Sequence, residues 1–423
     1  MRLINTYTCS LERFTFPNVP EYAILSHVWG AEEVSFEDFN ANTASAKPGY
    51  EKIRSSVAQA KKDGHKHLWI DTVCIDQSSS AELSEAINSM FKWYKSAATC
   101  YVYLEDVQHL PELGKSRWFT RGWTLQELVA PKVVTFFNRD WDFLGSRTQL
   151  KDAISAITRI PTEVLEGQDL KRSSIAQRMS WAASRKTTRV EDMAYSLLGI
   201  FDINMPLLYG EGGEKAFLRL QEEIARKSDD QSIFAWKLER RYAVHGLFAP
   251  SPAAFAESSD IIPCPNHGPA TPFTMTNRGL RIQLPLSQHP RSDMYAGALS
   301  CMDKRTENRL GIYLVPLGGG RFIRTRLDQL PKLGLNRSAR GFKPFEDKTI
   351  YVPQRPFTPE APLRRFQFRG RGAVDAGEPN LPCTKFRDTG QALMAIGSMC
   401  LQCPARRIPL QHFRRLYYFA LPK

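Results

Sequence analysis

The chain has no run approaching the ~18 consecutive apolar residues that a membrane helix needs. Its start, MRLINTYTCS, lacks the apolar stretch of a secretory signal. Cysteine is sparse: eight residues (Cys9, Cys74, Cys100, Cys264, Cys301, Cys383, Cys400, Cys403) are scattered over 423 positions, unlike the dense framework of a small secreted scaffold. These absences exclude a membrane span and a disulfide-built fold, and they set reduced thiols and a cytoplasmic location as expectations. Asn336-Arg337-Ser338 has the spacing of a glycosylation acceptor, which a chain outside the secretory path does not use. No internal repeat is present.

Three further motifs fail on inspection. Gly114-Lys115-Ser116 ends like a phosphate-binding P-loop, but His109 stands where the upstream glycine is required and no strand leads into it. The run Gly318 to Gly320 sits among strand-like segments rather than before a helix, so it reads as a turn. Cys400 and Cys403 have zinc-like spacing without a second pair, only Cys383 and His412, and no metal is expected.

What is present is a globular composition, 42% hydrophobic and 11% aromatic, on a chain too long for one ordinary core. Its net charge of +13 is unevenly placed: residues 1–240 hold 30 Lys and Arg against 32 Asp and Glu, and residues 241–423 hold 27 against 12. The basic character therefore belongs to the C-terminal part. There it reads either as surface solvation or as attraction for anionic surfaces, and Arg364-Arg365 and Arg414-Arg415 form no known nucleic-acid module.

Hydrophobic periodicity divides the chain. Short apolar runs at Tyr22 to Trp29, His67 to Asp71, Cys100 to Leu104 and Lys132 to Phe137 predict strands. Helical spacing at 52–62, 80–95 and 124–129 predicts helices between them. Strands that alternate with helices and read as continuous apolar runs imply a parallel sheet covered on both faces. From about 150 to about 230 the spacing is helical throughout. Beyond Trp236, runs such as PFTMT, LRIQLPL, RLGIYLVPL and RLYYFAL predict antiparallel strands, with an Arg-, Pro- and Gly-rich stretch at about 330–390 read as loop. The expected organisation is an α/β domain over 1–150, a helical extension over 151–240 packed on it, and a basic β-rich region over 241–423.

Four blocks, YAILSHVWG (Tyr22 to Gly30), LWIDTVCIDQ (Leu68 to Gln77), SMFKWYKSA (Ser89 to Ala97) with CYVYLED behind it, and RGWTLQEL (Arg121 to Leu128), resemble the fungal heterokaryon incompatibility (HET) family in order and spacing. RVEDMAYSLLGIFDINMPLLYGEGGEKAFLRLQEEI (Arg189 to Ile224) and DDQSIFAW (Asp229 to Trp236) are similar to the region after that domain in vegetative incompatibility proteins. The resemblance implies a TIR-like, flavodoxin-like parallel sheet and a role in programmed death of fused fungal cells, a form of non-self recognition and innate immunity. It also implies self-association or partnership with other HET or NLR-like incompatibility proteins. Ser116 to Pro131 resembles the S-x-W-C-L-x-E-L segment of plant TIR domains, which places Glu127 at the glutamate required for NAD+ cleavage. Thr124 stands in place of that segment's Cys and Arg121 in place of its Ser.

Ligands of open parallel sheets bind beyond the carboxyl ends of the strands. That rule selects Ser26, His27 and Trp29 after the first strand, Asp71, Cys74 and Asp76 after the second, Glu105 and Asp106 after the third, and Arg121, Trp123 and Glu127 just beyond. Cleaving the nicotinamide–ribose bond passes through an oxocarbenium-like state that a carboxylate stabilises, the role assigned to Glu127. Trp29 or Trp123 is suited to stack on a base or on nicotinamide, and Arg121 to pair with pyrophosphate. NAD+ enters as substrate, and no resident cofactor is expected.

Other readings of the same residues stay open. Thr124-Leu-Gln-Glu127 also has capping-box spacing, the tryptophans also suit a core, Asp71 and Asp76 also suit turns, and His27 also suits a hydrogen-bonded wall. The alternative to an enzyme is a scaffold that acts through homotypic association and partner recruitment.

Overall fold

The computed structural model describes residues 1–239, 243–264, 272–333 and 343–354, all within the compact unit Met1–Pro359. The first sheet has seven strands: β1 (Arg2–Asn5), β2 (Leu11–Arg13), β3 (Ala23–His27), β4 (His67–Trp69), β5 (Thr99–Tyr103), β6 (Val134–Phe137) and β7 (Phe143–Ser146). Their spatial order is β2-β1-β4-β3-β5-β6-β7. The four central strands, β4, β3, β5 and β6, are mutually parallel, and the outer pairings are antiparallel. In chain order the parallel strands lie second-first-third-fourth, so the order reverses between β3 and β5. β3 is buried along its whole length, as an apolar strand covered on both faces must be.

Helices α1 (Phe36–Asn40), α2 (Tyr50–Lys62), α3 (Asp71–Cys74), α4 (Ser80–Ser96) and α5 (Thr124–Val129) supply the connections. Ser79 caps α4 by accepting the Glu82 amide, and Ala86, Ile87, Met90 and Tyr94 form its buried face. Fully burying a large apolar side chain of this kind contributes roughly 1.5–3 kcal/mol. α2 buries Ile53, Val57 and Ala60 in the same way.

The segment after β7 is helical: α6 (Lys151–Thr158), α7 (Thr162–Leu165), α8 (Ile175–Ser180), α9 (Asp192–Tyr195) and α10 (Gly213–Lys227). α8 begins with a complete capping box between Ser174 and Gln177. The predicted helix over Met193 to Leu198 shortens to α9, with tight turns continuing to Asp202.

A second, β-rich sheet follows: β8 (Val244–His245), β9 (Ile261–Pro263), β10 (Thr274–Thr276), β11 (Gly279–Gln288), β12 (Tyr295–Asp303), β13 (Arg309–Gly318), β14 (Arg321–Thr325), β15 (Lys332–Leu333) and β16 (Glu346–Val352). Pairings β11–β16, β16–β14, β14–β13, β13–β12 and β12–β11 close on themselves into a ring. Leu280, Ile282, Leu284 and Leu286 alternate inward along β11, the period-two pattern of a half-buried strand. Gly318, Gly319 and Gly320 all adopt positive φ where β13 turns into β14, a conformation that glycine takes without steric cost. The RLYYFAL run, Asn336, most of the 330–390 stretch, Cys383, Cys400, Cys403, His412 and the arginine pairs at 364–365 and 414–415 lie outside the described residues. Among the described residues no helix is long and apolar enough to cross a membrane.

Candidate functional site

A cavity of about 280 Å³ opens beyond the carboxyl ends of β3 and β4. Ligand sites span roughly 300–1,000 Å³, so this volume suits one end of a dinucleotide better than the whole. His27, Trp29, Asp71, Arg121, Trp123 and Glu127 all line it. Ser26 lies behind Glu127 and reaches the site through it. Asp76 is absent from the lining; its carboxylate accepts from the Ser78 amide and hydroxyl, the local turn role that a short acid after a helix can take. Cys74 is buried, and Glu105 and Asp106 pair with Arg117 away from the lining.

One wall is organised by Asp71, the first residue of α3. Its Oδ1 lies 3.0 Å from His27 Nε2 and its Oδ2 accepts the Trp29 indole N–H at 2.8 Å. Burial by itself would raise this carboxyl, but the charge and hydrogen bond of His27, the Trp29 donor and nearby Lys52 outweigh it and hold it below the usual range. Trp29 is half exposed at the mouth, so its ring forms an accessible face rather than core.

Glu127 forms the floor. It is 7% exposed, and its Oε2 accepts from Ser26 Oγ at 2.5 Å. Ser26 Oγ in turn accepts the Trp118 indole N–H at 2.8 Å. Burial drives the Glu127 carboxyl up to about 8; the Ser26 hydroxyl opposes the shift, the Asp71 charge adds to it, and Arg185 and the Tyr94 hydroxyl oppose it. The capping box that Thr124 and Glu127 suggest does not form. Trp123 is the residue before α5 and makes no side-chain cap, while Thr124 Oγ1 donates to the Trp118 and Arg121 carbonyls.

The third wall comes from the helical segment and was not legible as part of a site. Asp192 accepts from Trp123 Nε1 at 3.2 Å and from the Tyr209 hydroxyl at 2.9 Å, fixing both rings with one carboxylate that burial raises. Thr188 and Arg189 complete the rim. A strap at 185–189 is laced to the RGW motif: Lys186 N donates to Thr120 O at 2.7 Å, Gly122 N to Lys186 O at 2.9 Å, and the buried Arg185 to Arg121 O at 2.8 Å. Only glycine admits so close an approach, since a Cβ on Gly122 would sit 2.5 Å from Thr187 Cγ2. The signal that points to this wall is the polar and aromatic content of the Arg189 to Gly210 block.

Chemically, the cavity joins two tryptophans and two tyrosines, a carboxylate held ionised at Asp71, two carboxyls raised by burial at Glu127 and Asp192, and two arginines. Perturbed acids converging in a cleft make this cavity the candidate site.

Comparison with known proteins covers part of these elements. Residues 22–113 match the family described as Heterokaryon incompatibility protein (HET), and residues 215–245 match a domain of unknown function. Vegetative incompatibility protein HET-E-1 of Podospora anserina is 52% identical over 221 residues, which covers 49% of this chain. The chain spans 16% of that relative's length. No solved structure matches.

Proposed function

We propose that this chain, whose residues 22–113 belong to the heterokaryon incompatibility family, is an incompatibility effector that triggers cell death by cleaving NAD+ when its domains cluster. The carrying observation is the convergence of Glu127 with Trp29, Trp123 and Arg121 on one cavity at the carboxyl ends of parallel strands. The second-first-third-fourth order of those strands is that of flavodoxin-like sheets and supports a TIR-like fold. The name of the HET-E-1 relative supports the incompatibility role.

In the proposed reaction the pyridinium ring lies against a tryptophan face, and Glu127 stands beside the ribose C1′. A cation seated next to the carboxyl favours its ionised form, so ligand binding itself draws the proton from a group that burial keeps neutral in the empty cavity. The C1′–N bond breaks with its electron pair going to the ring nitrogen, which leaves neutral nicotinamide. The Glu127 carboxylate stabilises the oxocarbenium ion until water adds at C1′ and releases a proton.

The test is nicotinamide release by the full chain, concentrated or cross-linked to force association, beside Glu127→Gln and Glu127→Ala. Release by the parent that both variants abolish, while each variant still unfolds cooperatively, is the expected result. An associated and folded parent that releases none overturns the enzymatic step and leaves the scaffold.

A further inference from the structure

Arg121 and Arg189 share the cavity rim, and among the described residues neither makes a close ion pair, although the Arg189 charge bears on Glu191 and Asp192. Arg121 spends one donor, from Nη1 to Thr188 Oγ1 at 3.2 Å. Arg189 makes no side-chain hydrogen bond; its guanidinium rests 4.3 Å from the centroid of the Tyr209 ring. A guanidinium has five donors, so most of both forks remain unspent. The lacing of 185–189 to 120–122 fixes the two backbones on one rim, and stacking on Tyr209 orients the second fork before any ligand arrives. Such preorganisation lowers the entropic cost of binding.

The charges in the cavity are also sorted. Asp71 and Glu127 lie with the aromatic walls, and the arginines sit at the rim, where the Arg189 charge also bears on Asp192 behind Tyr209. A ligand that is cationic at one end and anionic at the other therefore has one favourable orientation.

We propose that Arg121 and Arg189 form a phosphate clamp, so that the site takes a phosphorylated ribosyl-pyridinium with its ring inward and its phosphate at the rim. This rests on the NAD+ reading above and adds to it a subsite and a residue, Arg189, that lies outside the matched 22–113 segment.

The test is calorimetry on the full chain with Glu127 intact, kept dispersed and not cross-linked so that it does not turn over, with three probes: nicotinamide mononucleotide, nicotinamide riboside and inorganic pyrophosphate. The mononucleotide is expected to bind at least about tenfold more tightly than the riboside, since charged hydrogen bonds to phosphate are strong. Arg189→Gln removes that advantage and leaves riboside affinity unchanged; Arg189→Lys restores part of it. Equal affinity for the two nucleosidic probes, or a mononucleotide affinity indifferent to Arg189→Gln, overturns the clamp while the Glu127 chemistry stands. Pyrophosphate binding that depends on Arg189, with neither nicotinamide probe bound, upholds an anion clamp and overturns the NAD+ reading. No binding of any probe overturns both. Arg189 is exposed, so an unchanged melting temperature excludes misfolding as the cause.

Discussion

Ser26 Oγ donates to Glu127 Oε2 at 2.5 Å, joining the end of β3 to α5 across a sequence separation of 101 residues. The same oxygen accepts from Trp118 Nε1, so one hydroxyl satisfies a buried indole and a buried carboxyl at once. Buried polar groups of this kind are tolerated only when every member of the network has a partner.

Replacing Ser26 by alanine therefore leaves the Trp118 indole without its acceptor and takes one donor from Glu127 while removing only one oxygen. The expected loss is about 1–3 kcal/mol in urea unfolding, the usual penalty for leaving buried polar groups unmade. The Ser26 hydroxyl also opposes the upward shift of Glu127, so the variant should titrate that carboxyl at still higher pH. A variant as stable as the parent would mean that the hydroxyl is not the shared partner.

The pH dependence of stability carries a second signature. The ordinary value of a Glu carboxyl, 4.5, is pushed up to about 8 in the folded chain, chiefly by burial. The folded state thus holds a proton that the unfolded chain releases between those values. Its contribution to stability is fully present below the unfolded value and is lost as pH rises through the folded one. Glu127→Gln has no such proton, so the stability of the parent relative to this variant should fall steadily from about pH 5 to about pH 9. A difference that stays flat across that range would place the carboxyl in water.

The elements are legible where periodicity is strong. The spacing at 80–95 predicts the helix found at Ser80–Ser96, where one apolar face and one polar face specify it, and Thr124–Val129 is helical as predicted although all six of its residues are buried. The strand predicted from Lys132 begins at Val134, since Lys132 and Val133 are exposed after Pro131 and only the Val133 carbonyl joins the ladder, accepting from Cys100 N. Six of the proposed site residues meet at one cavity because the strand-end rule depends only on strand positions. Trp118 and Asp192 were not legible as site organisers. Their partners, Ser26 and Trp123, lie 92 and 69 residues away, and no local pattern encodes such pairings. The closing of β11 to β16 into a ring is hidden for the same reason: strand propensity does not name partners.

The β-rich region is tied to the segment after α10 by a buried cation. Arg324, on β14, donates to the Phe234 and Trp236 carbonyls and lies 3.7 Å from the Trp236 ring centroid. Arg324→Ala leaves two carbonyls and an aromatic face without a partner, and the expected cost is roughly 2–5 kcal/mol. Arg324→Lys should recover little, because an ammonium offers neither the planar fork nor the stacked face. Urea unfolding followed by tryptophan fluorescence measures both; recovery by lysine would show that charge alone holds the junction.

Gly122 links stability to the site. An added Cβ meets Thr187 Cγ2 at 2.5 Å and Ser196 Oγ at 3.2 Å, so Gly122→Ala forces the 185–189 strap off the RGW motif. Overpacking of this kind costs about 1–3 kcal/mol. The effect on mononucleotide affinity should be at least as large, because the displaced strap carries Arg189 away from Arg121 while the tryptophans and Glu127 stay in place. Adding Thr187→Ser removes the nearest clashing carbon and should return part of both losses, a coupling that a double-mutant cycle measures directly. Additive losses in that cycle would mean that the alanine methyl is accommodated elsewhere and that the strap is not what glycine admits.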